Sequence, residues 1–353
     1  MRGAAPGPRP ERPAPGAALH RLCVLLVALA GIASAWPAAA ALERSDACLS
    51  GRRREAPPLA SQCFAIEHDG RRRTFRLHVP PGPARPMPLV LLLHGGGGSG
   101  AGMEVLTEGG FDRIADREHV LVAYPDGVGK GWNDGRRDLK SEAVREQVDD
   151  LGFLTALVSE LARSYPVDAT RVYAAGISNG GLMSYRLACD AADIFAAVAP
   201  VAANLSVELA SRCHPSRPMP ILITSGTEDP IMPWDGGEIR VLWMKRGVVL
   251  AVSDTFSRWE QLDHCGRTEI LPVIDHDPTD GTSVVEHVAT GCAGGSEVRL
   301  DEVRGGGHTW PDGLPYLGVR IVGRVSREID ANEAIWSFLS RFRSERASGP
   351  ATP

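Results

Sequence analysis

Ser178 stands in Gly176-Ile177-Ser178-Asn179-Gly180, directly after the apolar segment RVYAA and directly before a segment of helical character. A serine hydroxyl is a weak nucleophile near neutral pH unless a base takes its proton. The G-x-S-x-G spacing addresses the geometric half of that requirement. A serine at the end of a strand must turn sharply to expose its oxygen, and glycines two residues to either side permit the close backbone approach of the turn. The other half is a base with an orienting carboxylate, in the chain order Ser, then Asp or Glu, then His, for a sheet with crossover helices. His214, His264, His276, His287 and His308 all follow Ser178. Of these, His308 lies in the glycine run Gly305-Gly306-Gly307-His308-Thr309-Trp310-Pro311 after a strand-like segment, where a side chain can reach over a sheet edge. His287 falls in mid-strand and His276 in an Asp-rich turn, both positions of structural character. Asp229 is the expected acid, because Ser225-Gly226-Thr227-Glu228-Asp229-Pro230 follows a predicted strand at its C-terminal end, the catalytic side of such a sheet. Asp235 and Glu228 are the alternatives.

Acyl transfer through serine also needs donors for the oxyanion. Leu93-His94-Gly95-Gly96-Gly97-Gly98-Ser99-Gly100 offers unhindered N–H groups after the first strongly apolar run. Gly96 and Asn179, the residue after the nucleophile, are the expected donors, and His94 is expected to support the loop. The run lacks the G-K-[ST] ending of a phosphate-binding loop, and no dinucleotide-binding spacing follows it.

These groups are useful only if a scaffold gathers them. Residues 89–93 are apolar without alternation, the pattern of a strand buried on both faces in a largely parallel sheet. Strands predicted at 120–124, 171–175, 195–201, 220–224, 284–288 and 298–303 alternate with helices at 103–116, 144–165, 180–189, 249–262 and 330–342. Residues 64–79 read as an edge hairpin turning at Asp69-Gly70. This alternation predicts one α/β domain with a doubly wound, mostly parallel sheet and helices on both faces.

With 353 residues, 43% of them hydrophobic and 23% charged, the chain can bury a core and is neither disordered nor coiled-coil in character. A net charge of −5 supplies no global field for nucleic acid, and the runs Arg52 to Arg54 and Arg71 to Arg73 read as solvated faces. Residues 1–41 place Arg2, Arg9, Arg12 and Arg21 before and at the start of an apolar run at 22–35 and the small residues Ala38 to Ala41, the order of a secretory signal peptide. The competing reading, a membrane anchor, needs about 20 apolar residues, more than this run holds. The segment carries four arginines and one glutamate, so its loss takes the net charge to −8. The expected organisation is therefore a signal peptide at 1–41, a catalytic domain at 42–343 and a flexible tail at 344–353. The product is extracellular or periplasmic, without stable membrane insertion.

Export permits disulfides. Cys23 would leave with the signal segment, and six cysteines remain. Pairing sequential neighbours gives Cys48–Cys63, Cys189–Cys213 and Cys265–Cys292, one of 15 connectivities, each worth about 3 kcal/mol in the chain-entropy view. Buried free thiols are the alternative. A zinc site is disfavoured because no two cysteines have C-x₂₋₄-C spacing.

The segments LLLHGGGGSG, GWNDGR, VDDLGFL, GISNGGLMSYRLAC, SGTEDPIMPWDGG and GGGHTWPDG together resemble the secreted poly(3-hydroxybutyrate) depolymerase and feruloyl esterase group of α/β-hydrolases, that is, carbohydrate esterase family 1 and its relatives. The resemblance runs from about Arg71 to Phe342. It implies the α/β-hydrolase fold, a Ser178–Asp229–His308 triad and ester hydrolysis through an acyl-enzyme with neither metal nor cofactor. The implied substrate is a hydroxyalkanoate ester or oligomer, or else a feruloyl or acetyl ester of plant polysaccharide. The group's usual HG before T-x-D-P is Ser225-Gly226 here, which leaves Asp229 in place. A peptidase and a binding protein on the same scaffold are the rivals, and the latter is disfavoured by the filled triad and oxyanion positions.

Trp132, Trp234 and Trp310 fall in loops beside these motifs, where flat aromatics could line an acyl or aryl pocket or simply pack. Asp149-Asp150 opens a predicted helix and suits N-terminal capping. Asn204-Leu205-Ser206 is a glycosylation sequon.

Overall fold

In a computed structural model, residues 42–48 and 60–344 are described, together with Gly3 and Gly7. Apart from those two glycines, the expected signal peptide lies outside the described residues, as does all of the tail after Ser344. The chain divides after Ala38, and the unit Ala39–Pro353 is the one described below.

In chain order the strands are β1 (Glu43–Arg44), β2 (Gln62–His68), β3 (Arg71–His78), β4 (Met87–Leu93), β5 (Leu121–Pro125), β6 (Val167–Ile177), β7 (Ala197–Val201), β8 (Ile221–Gly226), β9 (Gly237–Val241), β10 (Met244–Val249), β11 (Arg267–Ile270), β12 (Ser283–Thr290) and β13 (Val298–Arg304). The helices are α1 (Gly100–Leu106), α2 (Gly110–Glu118), α3 (Glu142–Arg145), α4 (Asp150–Ser164), α5 (Asn179–Asp190), α6 (Val207–Ala210), α7 (Val252–Leu262), α8 (Val319–Val322) and α9 (Ala331–Leu339). Among the described residues an 11-stranded sheet has the order β1-β2-β3-β5-β4-β6-β7-β8-β13-β12-β11. Its centre, from β5 through β13, is parallel, and both edges are antiparallel.

The apolar runs explain the layers. Side chains alternate across a strand, and β4 sends Leu89, Leu91 and Leu93 to one core with Phe153 and Leu157 of α4 and Leu182 of α5. Val90 and Leu92 go to the other core, with Ile114 of α2 and Ile335 of α9. β5 divides in the same way, Leu121 and Ala123 against Val122 and Tyr124. Both faces of the sheet are therefore covered, as the unbroken hydrophobicity requires.

Several boundaries differ from expectation. The helix predicted at 103–116 is two helices, broken where Glu108 and Gly109 adopt φ of 53° and 66°. The helix predicted at 144–165 is interrupted at Gln147, φ 50°, and restarts at Asp149, whose side chain accepts from the Gly152 N–H at 2.9 Å, so this carboxylate caps as expected. The helix predicted from Val249 begins at Val252, because residues 237–249 form the β9–β10 ribbon instead. Arg73 corrects the reading of its run as a solvated face. It is buried and meets the equally buried Asp150 at 2.6 Å, because β3 turns Arg72 outward and Arg73 inward. The three cysteine pairs expected from sequence are the three disulfides among the described residues.

Asp112 of α2 is buried beneath Tyr124, whose hydroxyl donates to it at 2.6 Å. Burial, reinforced by the nearby Glu104, raises its pKa from 3.8 to about 7, against the opposing pull of Tyr124 and His78. The folded state then holds a proton that the unfolded chain has released, so this group makes stability fall as pH climbs from about 4 to about 7 and leaves it level above. Asp112→Asn removes that dependence. Its melting temperature relative to wild type is expected to rise by several degrees between pH 4 and pH 8, at roughly 2 °C per kcal/mol. Parallel melting curves of the two proteins across that range would contradict it.

Candidate active site

β6 carries the chain to Ser178 and α5 carries it away. Between them Ser178 has φ 57° and ψ −120°, a backbone that costs a non-glycine residue on the order of 1–3 kcal/mol. Its N–H donates to the Val201 carbonyl at 2.9 Å and its own carbonyl accepts from the Leu182 N–H at 2.8 Å, which fixes the turn to β7 and to α5. The flanking glycines have a steric cause. A Cβ on Gly180 would lie 2.2 Å from the Leu93 oxygen, and one on Gly176 would lie 2.7 Å from the same atom.

His308 follows β13 in the predicted glycine loop. Its Nδ1 faces Asp229 Oδ2 at 2.7 Å, with both side chains almost wholly buried. The other oxygen of Asp229 accepts from the N–H groups of Ile231 and Met232, both at 2.8 Å. With its two oxygens engaged, Asp229 holds the proton of His308 on Nδ1 and leaves Nε2 as the acceptor. Of the alternatives, Glu228 is exposed and pairs with Arg324 at 2.7 Å, and Asp235 is exposed. His276 and His287 pair with Glu328 and Glu302 away from Ser178.

Ser178 and His308 line one cavity of about 750 Å³, together with Gly95, Gly96 and Asn179. His94 organises the glycine loop. Its Nδ1 donates to the Gly95 carbonyl at 2.8 Å and its Nε2 accepts from the Gly127 N–H at 3.0 Å, and burial lowers its pKa so that the ring stays neutral. The Gly95 oxygen also accepts from Gly98 N–H at 3.0 Å. In a trans peptide the N–H points opposite to the carbonyl, so drawing the Gly95 oxygen toward His94 turns the Gly96 N–H away from it. As the first residue of α5, Asn179 has a backbone N–H without an intrahelical acceptor. Its side chain is braced by the GWNDGR segment. Oδ1 accepts from Trp132 N–H at 2.7 Å, and Nδ2 donates to the Trp132 carbonyl at 3.2 Å and to Asp134 at 2.5 Å.

Much of the remaining lining comes from two sets of segments. Met103 and Leu106 of α1 join Leu314, Tyr316 and Leu317 from the loop after His308. Ile239, Val241 and Met244 of the β9–β10 ribbon join the loop at 129–145. Sequence reasoning missed both the ribbon and Tyr316, whose hydroxyl donates to the His308 carbonyl at 2.8 Å. A lone tyrosine in a proline-glycine loop carries no pattern.

The tryptophans correct the pocket reading. Trp132 and Trp310 are fully buried and, like Trp234, stand outside the cavity lining. The Trp132 indole N–H donates to the His94 carbonyl at 2.9 Å and that of Trp310 to Asn332 at 3.2 Å, while Trp234 packs against the core. The exposed tryptophan beside the cavity is Trp243, 84% accessible in the turn that joins Val241 to Met244. Asn204 is also buried, and its Nδ2 donates to the Pro233 carbonyl at 2.9 Å and the Leu250 carbonyl at 3.1 Å. Those two residues bracket the β9–β10 ribbon, so Asn204 clasps both ends of that cavity wall. Among the described residues there is no group of three or more potential metal ligands, and no helix is long and apolar enough to cross a membrane.

Residues 67–273 match the Esterase family, described as "Putative esterase". "Putative esterase NocK" of Nocardia uniformis subsp. tsuyamanensis is 33% identical over 317 residues, covering 86% of this chain and 88% of that protein. "Feruloyl esterase B" of Piromyces equi is 32% identical over 57% of this chain, which spans only 36% of that protein. "Poly(3-hydroxybutyrate) depolymerase" of Ralstonia pickettii is 30% identical over 31% of this chain and 24% of that protein. With a family match over more than half its length and a relative matched nearly end to end, the chain belongs to the Esterase family of α/β-hydrolases and is a carboxylic ester hydrolase.

Proposed function

We propose that Ser178, Asp229 and His308 form a catalytic triad that hydrolyses short aliphatic esters of the hydroxyalkanoate type through an acyl-enzyme. The observation that carries this is the buried Asp229–His308 hydrogen bond at the edge of a cavity that Ser178 shares. His308 Nε2 takes the hydroxyl proton as Ser178 attacks the ester carbonyl, and the N–H groups of Gly96 and Asn179 receive the negative charge on its oxygen. The proton returns to the leaving alkoxide. Water, deprotonated by His308, then releases the acid and restores Ser178. Each of these steps uses groups of this chain.

The acyl preference rests on the lining. Met103, Leu106, Leu314 and Leu317 are flexible aliphatic surface, and Trp132, Trp234 and Trp310, which could have stacked on a feruloyl ring, are not part of the lining. A feruloyl or acetyl ester of polysaccharide is the second reading, favoured by the relation to the Piromyces protein. The chain is read as exported, with residues 1–41 removed, 42–343 as the catalytic domain and 344–353 as a tail. The three disulfides support that reading.

The test is hydrolysis of p-nitrophenyl butyrate, methyl ferulate and a 3-hydroxybutyrate oligomer. Both aliphatic esters are expected to exceed methyl ferulate in kcat/KM by about tenfold or more, the discrimination a shaped apolar pocket commonly gives. A preference for methyl ferulate would reverse the substrate assignment, and inactivity toward all three would remove the mechanism with it.

A further inference from the structure

The chain is acidic overall, with a net charge of −5, yet one side of the cavity is basic. Lys130, Arg136, Lys140, Arg145 and Arg246 line it, and among the described residues Glu142 is the single carboxylate that does. Part of this charge is spent on the protein itself. Arg136 pairs with the buried Asp134 at 2.8 Å, Arg246 with Asp138 at 2.7 Å, and Arg145 reaches Glu146 at 3.8 Å. Lys130 and Lys140 stand in no ion pair among the described residues, and both are exposed. The Lys130 carbonyl accepts from the Gly97 N–H at 2.7 Å, so its backbone is tied directly to the glycine loop beside Ser178. A cleft lined by one sign of charge concentrates ligands of the other sign.

Resting on the esterase reading above, we infer that the Lys130–Lys140 side of the cavity receives a free carboxylate of the substrate, so that the preferred substrates are carboxylate-terminated ester oligomers. A hydroxyalkanoate oligomer has this chemistry, since it ends in a carboxylate a few bonds from its last ester. A feruloyl or acetyl ester on a neutral sugar does not. The basic side therefore separates the two substrate classes that the apolar lining only ranks.

The experiment compares kcat/KM for a 3-hydroxybutyrate trimer as the free acid and as its methyl ester, in wild type and in Lys130→Gln/Lys140→Gln. Wild type is expected to favour the free acid by about tenfold at low ionic strength. That ratio is expected to fall toward one at about 0.5 M NaCl, where screening acts within a few ångströms, and in the double variant at low salt. A wild-type ratio at or below one, or a ratio that survives both the salt and the substitutions, overturns the inference. Should the variant fail to fold, the salt series on wild type decides alone. Turnover of p-nitrophenyl butyrate by wild type keeps the two readings apart. If it proceeds without any preference for the acid, only this inference fails. If no ester is turned over, calorimetric titration of Ser178→Ala with the two trimers decides. Tighter binding of the acid upholds the basic subsite without the esterase reading, and equal binding ends both.

Discussion

Ser178→Ala is expected to lower kcat for p-nitrophenyl butyrate by about a thousandfold or more while leaving the melting temperature within a few degrees of wild type. The substitution removes the one atom that forms the acyl-enzyme in the proposed mechanism and little else, because the turn is held by backbone bonds to Val201 and Leu182. Asp229→Asn should fall by a comparable factor for a different reason. Its Oδ1 can still accept from Ile231 and Met232, so the amide nitrogen is turned toward His308. Facing a donor, the imidazole moves its proton to Nε2 and can no longer accept one from Ser178. Initial rates and melting curves on both variants make the check. Activity within tenfold of wild type in either would remove that residue from the mechanism.

The second large effect belongs to a residue that does not touch the reacting atoms. His94 holds the Gly95 carbonyl and receives the Gly127 N–H, and through that carbonyl it aims the Gly96 N–H. Losing an oxyanion donor commonly costs about a hundredfold to a thousandfold in kcat, and His94→Ala should show a loss of that size with KM changed by no more than about threefold. His94→Asn can place an amide donor near the former Nδ1 and should recover part of the kcat, whereas neither variant restores the contact with Gly127. A role confined to packing would instead appear as lowered stability with kcat intact, or as equal losses in both variants.

What could be read from the sequence, and what could not, follows the range of the forces involved. The strands of the parallel centre are legible because burial on both faces leaves no room for alternation, as in Leu89 to Leu93. Ser178, Asp229 and His308 are legible as neighbours because each follows a strand of that centre at its C-terminal end. The breaks at Glu108 and Gln147 are not, since each helix closes on a non-glycine residue with positive φ, with the local bonds from Gly109 N–H to Glu104 and from Val148 N–H to Ala143, at a position where glycine or asparagine would ordinarily mark the stop. Nor is the β9–β10 ribbon, whose mixed burial gives neither an apolar run nor a regular alternation. Trp132 and Trp310 misled for a related reason. A tryptophan in a loop is buried when its indole N–H finds a partner, and the partners are 38 and 22 residues away in sequence. Arg73 was legible in principle, because the period-two rule applied to the β3 strand places it on the same face as Phe75 and Leu77.

The clasp at Asn204 bears on how the protein can be made. Asn204-Leu205-Ser206 is an acceptor sequon, but in the folded molecule the nitrogen that would carry the sugar is already donating to Pro233 and Leu250. Glycosylation and folding therefore compete for one atom. A eukaryotic secretory host attaches its glycan while the chain is still emerging, and a chain so marked keeps one N–H where the clasp uses two and places a bulky sugar in a buried site. Such a host divides its product into unmodified chains that close the wall beside Ser178 and modified chains that cannot, whereas a host without the modification yields only the first kind.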